Sequence, residues 1–310
     1  MSIVAVGTVA LDTIETPFGK ADRILGGSAT YISLAARYFD PSVHLVAVVG
    51  KDFPDEHIRM LERYGVGAEG LERNERGATF AWEGRYHYDL NDRETIATHL
   101  NVLAEFEPHV PEKARKSRIA CLGNLDPRTQ REVLLQLEAP DLVVCDTMDY
   151  WIEKTPESLA TTLKQVDCLI INDSEARQLA DEPNLVRAAG VIRRMGPEIL
   201  VIKKGEHGAL LFTDGSVFSA PAFPLENIYD PTGAGDTFMG GFAGYLCRCG
   251  DYSLEAFKKA VIYGSAMASF VVEKFGADRL LELSEDEIDE RVDNFRVLAE
   301  IPEIVPLRVA

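Results

Sequence analysis

The stretch Asp230-Pro231-Thr232-Gly233-Ala234-Gly235-Asp236-Thr237-Phe238 brings two carboxylates, two glycines and a helix start into nine residues. Beyond it Phe238, Phe242, Tyr245 and Cys249 recur at helical spacing, so Asp236 falls where a glycine-rich loop becomes a helix. The first turn of a helix has N–H groups without partners, and Gly233 and Gly235 let a ligand come close to them. The amides of Gly233, Ala234 and Gly235 thus form a candidate anion hole. A carboxylate beside an anion site makes sense if the anion is a phosphoryl group in transit and Asp236 takes the proton of the attacking hydroxyl. The plainer reading makes Asp236 a helix cap and the glycines a turn.

Outward from this stretch, short apolar runs at 119–122, 142–145, 168–171 and 199–202 alternate with helical patterns at 128–137, 156–165, 173–181 and 184–195. Apolar runs at 3–9 and 43–49, with helical patterns at 29–39 and 54–64, continue the alternation. It predicts an α/β fold with a mostly parallel sheet between two layers of helices. Residues 209–213 and 216–218 flank Asp214-Gly215 as a hairpin. Residues 77–98 are instead aromatic, β-prone and interrupted by charge, which suits a small sheet outside the main layer. No repeat or long linker divides the chain, so one domain spanning 1–310 is expected, with an inserted lid.

Gly65-Val66-Gly67-Ala68-Glu69-Gly70 matches G-x-G-x-x-G formally, but it follows a helix and opens none. It is read as a helix stop and turn, not as a dinucleotide site. No G-x-x-x-x-G-K-[ST] loop is present, which excludes a P-loop enzyme. The acidic run at 282–290 is read as the solvated face of a last helix.

With 32 Lys and Arg against 50 Asp and Glu, the chain carries a formal charge of −18, which argues against nucleic-acid and anionic-membrane partners. A polyanionic ligand would need local help from amides, lysines and magnesium. The five cysteines, Cys121, Cys145, Cys168, Cys247 and Cys249, read as reduced residues of a cytoplasmic protein. No run approaches the roughly 20 apolar residues of a membrane-spanning helix.

The 230–236 string followed by Gly240-Gly241 resembles the carboxy-terminal signature of the ribokinase-like (PfkB) family of sugar and nucleoside kinases. The resemblance implies a three-layer ribokinase-like domain with a β lid drawn from about 12–20 and 77–100, which in the family often forms a homodimer contact. It implies ATP as donor and Mg2+ as cofactor. Asp236 becomes the base, and Asp12, Gly26 and Gly27 become the acceptor site. Asn172-Asp173-Ser174-Glu175 is similar to the family's Asn-x-x-Glu motif, whose Glu acts on magnesium through water. On spacing alone, Asn172 with Glu175 is a capping box. Gly205 and Gly208 fall at the family's Gly-x-x-Gly turn beside the nucleotide, with Lys204 directed to a phosphate. Asp230 and the Gly276 region stand where some members bind a monovalent cation, K+.

Ala10, Ser28 and Tyr31 replace the asparagine, lysine and asparagine of ribokinase itself, and Asp126 stands where it has glutamate. Fewer matched polar groups weaken the case for ribose. Tyr31 and the lid aromatics Phe80, Trp82, Tyr86 and Tyr88 offer stacking surfaces, and residues 26–33 also resemble plant inositol kinases. The leading reading is an ATP- and Mg2+-dependent kinase of a small sugar or polyol, the alternative is a nucleoside kinase, and a ligand-binding regulator without turnover ranks third.

Overall fold

Strands of four or five residues that are apolar at every position belong in a sheet covered on both faces. The computed structural model, which describes residues 1–39 and 42–300, has that arrangement. Its strands are β1 (Ile3–Val6), β2 (Ala10–Thr16), β3 (Gly19–Gly26), β4 (Val43–Gly50), β5 (Val66–Asn74), β6 (Ala81–Tyr86), β7 (Arg93–His99), β8 (Ile119–Leu122), β9 (Leu142–Cys145), β10 (Cys168–Asn172), β11 (Ile199–Lys203), β12 (Ala209–Thr213) and β13 (Ser216–Ala220). Its helices are α1 (Ser28–Ala36), α2 (Asp55–Arg63), α3 (Pro127–Leu134), α4 (Asp149–Lys154), α5 (Pro156–Leu163), α6 (Asp173–Ala180), α7 (Leu185–Arg193), α8 (Ala234–Cys249), α9 (Leu254–Val271), α10 (Asp278–Glu282) and α11 (Glu285–Leu298).

Nine strands form the large sheet in the order β13-β12-β11-β10-β9-β8-β1-β4-β5. Every pair is parallel except the edge hairpin of β11, β12 and β13. Strand residues alternate between the two faces of the sheet. Val4, Ala120, Val143 and Leu169 pack with residues of α3, α5 and α7, such as Val133, Leu163 and Ile192. Ile3, Ile119, Val144 and Ile170 pack with Ile32 of α1, Phe242 of α8 and Val261 of α9. The result is the three-layer α/β/α architecture expected.

The small sheet has the order β3-β2-β6-β7. Its amino-terminal part runs on through β3 to Gly26, well past residue 20. The 65–70 turn is corrected. Gly65, at φ 83°, does end α2, but Gly67 and Gly70 lie inside edge strand β5. A Cβ on Gly70 would sit 2.5 Å from the carbonyl oxygen of Leu45, so close pairing with β4 calls for glycine there. Short helix α4 was not foreseen. Residues 301–310 of the expected domain lie outside the described residues.

Helix α8 approaches α1 and α9 at glycines. A Cβ on Gly240 would meet the carbonyl oxygen of Ile32 at 2.4 Å, and one on Gly241 would meet Met267 at 2.7 Å. This close packing fixes the start of α8 relative to the start of α1, and both ends face the site.

Candidate active site

Ligands gather at the carboxyl ends of strands in open α/β sheets, where strand order reverses. Here β1 has β4 on one side and β8 on the other, and most sequence-predicted residues collect along that edge. Asp12 lies on β2 with its carboxyl buried. Its Oδ2 would be 2.0 Å from a Cβ on Gly26, while a Cβ on Gly27 would be 2.4 Å from the carbonyl oxygen of Thr8. The two glycines are thus demanded by Asp12 and by the chain itself. Thr8 and Ser28 brace this corner, each amide donating to the other's hydroxyl at 3.0 and 2.9 Å. Asp12 Oδ1 has no partner. Burial pushes its carboxyl up to about 7 against the amides of Trp82 and Gly27, with Asp230 and Asp236 adding to the rise.

Tyr31 is 1% exposed. A Cβ on Gly233 would fall 2.4 Å from its ring, so the face that stacking would use is covered by the glycine loop. What Tyr31 offers is its hydroxyl, which is shielded and without a partner. Burial, then the charges of Asp230, Asp12 and Asp236, raise that phenol well above its ordinary value. Among the lid aromatics Tyr86 is buried with its Oη 3.2 Å from Thr232 Oγ1, whereas Tyr88 is 94% exposed.

Gly233 takes φ 77° and opens α8 without any side-chain cap. Asp236 is partly exposed as a residue, yet its Oδ1 is shielded and accepts no hydrogen bond. Burial and the nearby Asp146 carboxylate push it up to about 7, opposed by Lys203 and Arg93. Asp146, which follows β9, and Lys203, which ends β11, were not singled out in the sequence. Burial also raises Asp146, with Lys203 and the Thr147 amide opposing. Lys203 Nζ lies 2.6 Å from where a Cβ on Gly235 would stand. Lys203 therefore brings a cation to the candidate anion hole. The backbone of Lys204 closes the turn, its amide donating to Gly208 at 2.7 Å.

At α6 the amide of Glu175 donates to Asn172 Oδ1 and the amide of Asn172 to Glu175 Oε2, both at 2.8 Å. The capping box is real. Glu175 is also pushed to about 7, by burial and then by Asp146, with Lys203, the Asn172 amide and Arg93 opposing. Gly205 at φ 53° and Gly208 at φ 81° make a turn that side chains would strain. Asp126, which stands where ribokinase has glutamate, caps α3, its Oδ1 accepting from Arg128 N at 2.7 Å.

Among the described residues no three His, Cys, Asp or Glu side chains could cage a metal ion. Mg2+ carried on nucleotide phosphates keeps most of its waters and needs no such cage. The raised carboxyls of Asp146 and Glu175 around one lysine are a donor set that fits it. Asp230 ties the loop to residue 276, its oxygens accepting from Thr232 N and Gly276 N at 2.9 Å each.

Residues 17–283 match the pfkB family of carbohydrate kinases. The cytidine kinase of Thermococcus kodakarensis is 29% identical over 251 residues, covering 79% of this chain and 88% of its own. The solved Methanocaldococcus jannaschii nucleoside kinase, an archaeal member of the ribokinase family, superposes with TM-score 0.77 at 21% identity, over 94% of this chain and 98% of its own. Salmonella enterica aminoimidazole riboside kinase, solved with aminoimidazole riboside and an ATP analogue, gives TM-score 0.73 at 18% identity, over 94% of this chain and 100% of its own. With its three-layer fold and the Asp236 loop at the sheet's carboxyl edge, the chain belongs to the pfkB carbohydrate kinase family, phosphotransferases that act on an alcohol.

Proposed function

We propose that this chain transfers the γ-phosphate of ATP to a hydroxyl of a nucleoside or a related small sugar. The observation that carries the chemistry is Asp236. A carboxylate at position N3 of a helix ordinarily caps it, yet this one leaves Oδ1 free beside the Gly233–Gly235 amides. At about 7 its affinity for a proton suits a base working near neutral pH. Asp12 Oδ1 and Tyr31 Oη hold the acceptor's polar edge, the loop amides and Lys203 hold the moving phosphoryl group, and Asp236 receives the proton. Asn172, Glu175, Gly205 and Gly208 border the nucleotide. Mg2+, when bound, supplies charge neutralisation to the phosphates.

The nucleoside is placed ahead of free sugars and polyols because the cytidine kinase relative shares most of its length with this chain. The test is turnover with ATP and a panel of cytidine, inosine, ribose and myo-inositol. Transfer to a nucleoside, abolished by Asp236→Asn, is the expected result. Transfer to none of them would overturn the reading, and tight binding of ATP and acceptor without transfer would favour a regulator.

We also propose one domain with its lid, located in the cytoplasm. Five free thiols, four of them buried, suit a reducing compartment. No helix among the described residues is long and apolar enough to cross a membrane. Phe18 and Ile96 on the lid are 56% and 48% exposed, which suits a homodimer contact there. A monomeric mass in solution would remove that proposal.

A further inference from the structure

The lid hairpin β6–β7 touches the main domain at two separate points. Tyr86 Oη, near the end of β6, meets Thr232 Oγ1 of the glycine loop at 3.2 Å. At the tip, Asn91 Nδ2 donates to Glu206 Oε1 at 3.3 Å, and the amide of Glu206 donates to Asn91 Oδ1 at 3.4 Å. The fit at this second point is close, since a Cβ on Gly205 would lie 1.7 Å from Asn91 Oδ1. One anchor thus holds the anion-hole loop and the other the nucleotide turn.

Arg93 follows the second anchor and stands opposite Tyr86 in the antiparallel register. Directly opposed residues of an antiparallel pair project from the same face of a sheet. Arg93 therefore shares the face from which Tyr86 reaches Thr232, the face turned to the site. No ion pair or side-chain hydrogen bond engages its guanidinium among the described residues, although acidic side chains are plentiful. An exposed arginine left uncommitted in a chain of charge −18 is suited to an anion that arrives from solution. Its charge bears on Asp236, Asp146 and Glu175 alike.

We infer that Arg93 is a catalytic residue carried by the lid, whose guanidinium binds the γ-phosphoryl group opposite the Gly233–Gly235 amides and Lys203. This rests on the kinase reading. In the transfer the acceptor oxygen bonds to the γ-phosphorus as the bond from that phosphorus to the β,γ-bridging oxygen breaks. The electron pair leaves with ADP and the acceptor proton passes to Asp236. Arg93 stabilises the charge on the equatorial oxygens, and the Asn91–Gly205 contact sets its position only when the lid is down.

Arg93→Ala and Arg93→Lys are compared with wild type in two assays, with melting temperature as the control for folding. In the first, Arg93→Ala lowers kcat by about 10²-fold or more while the acceptor KM moves less than about threefold, and Arg93→Lys recovers part of the loss. In the second, calorimetric titration, Arg93→Ala weakens binding of β,γ-methylene ATP by about 10-fold and leaves ADP unchanged. Equal kcat or equal affinity for the analogue in wild type and Arg93→Ala overturns the inference while the kinase reading stands. If wild type transfers phosphate to no acceptor but the analogue still separates the two proteins, the kinase reading falls and the contact between Arg93 and the γ-phosphoryl stands.

Discussion

Helices α6 and α8 begin in nearly the same way and differ in one respect. Each starts at the carboxyl edge of the large sheet, and each carries a carboxylate at N3, Glu175 in one and Asp236 in the other. Burial pushes both carboxyls to about 7, and both feel Asp146 and Lys203. Glu175 completes a reciprocal capping box with Asn172. Asp236 caps nothing, because its helix starts from Gly233, which has no side chain to exchange with, and its Oδ1 stays without a partner. Titration alone would rank these two acids together. Commitment of their oxygens separates a group that stabilises its helix from one held ready for a proton.

The largest effect expected from this contrast is at Asp236. Asp236→Asn keeps the shape and removes the base, so kcat/KM falls by about 10³-fold while the melting temperature at pH 8 rises, because a shielded charge without a partner is gone. A fall in stability together with activity would show that the carboxylate had a structural partner after all. Gly235→Ala is next. The new methyl displaces Lys203 Nζ, the far end of a flexible side chain, so the fold tolerates it while kcat drops by about 10-fold to 10²-fold. Unchanged kcat in Gly235→Ala would remove Lys203 from the phosphoryl site.

The third effect is on stability as pH changes. Asp236 and Asp12 in the folded chain titrate at about 7, against an ordinary value of 3.8. Between those values the folded protein holds protons that the unfolded chain has released, so stability falls as pH rises from about 4 to about 7. Melting temperature measured across that window should slope downward, and Asp236→Asn should flatten part of the slope. An upward slope of that part would contradict the environment assigned to Asp236.

How far the sequence anticipates this site depends on whether a residue's place is decided locally. The strands of the central sheet are readable because each is a short apolar run with nothing polar to confuse its period. Strand β5 escapes because Gly67 and Gly70 look like a turn, and their reason, close pairing with β4, is a tertiary one. Asp146 obeys the same rule that picks out Asp12 and Asn172, a polar residue just past an apolar run, and was legible. Lys203 was legible too. It shares a face with Val201, which packs in the core that contains α8. Arg93 was not, since nothing near it in sequence says that its hairpin folds across to Thr232 and Glu206.

The smallest effect bears most directly on the pair of helix starts. Asn172→Ala removes one half of the capping box and leaves the amide of Glu175 without its acceptor. Loss of a cap of this kind costs about 1 kcal/mol, or about 2 °C in melting temperature for a chain of this length. Glu175 would still accept from the amide of residue 172, so the helix start should loosen without moving away. If capping is all that Asn172 does, kcat and the ATP KM stay within about twofold of wild type. If Asn172 also borders the nucleotide, as the kinase reading has it, the ATP KM rises beyond what 2 °C of stability explains, and the same variant assayed with ATP in excess recovers wild-type kcat. A rise in KM would make α6 a helix start with two duties, whereas α8, having given up its cap, has one.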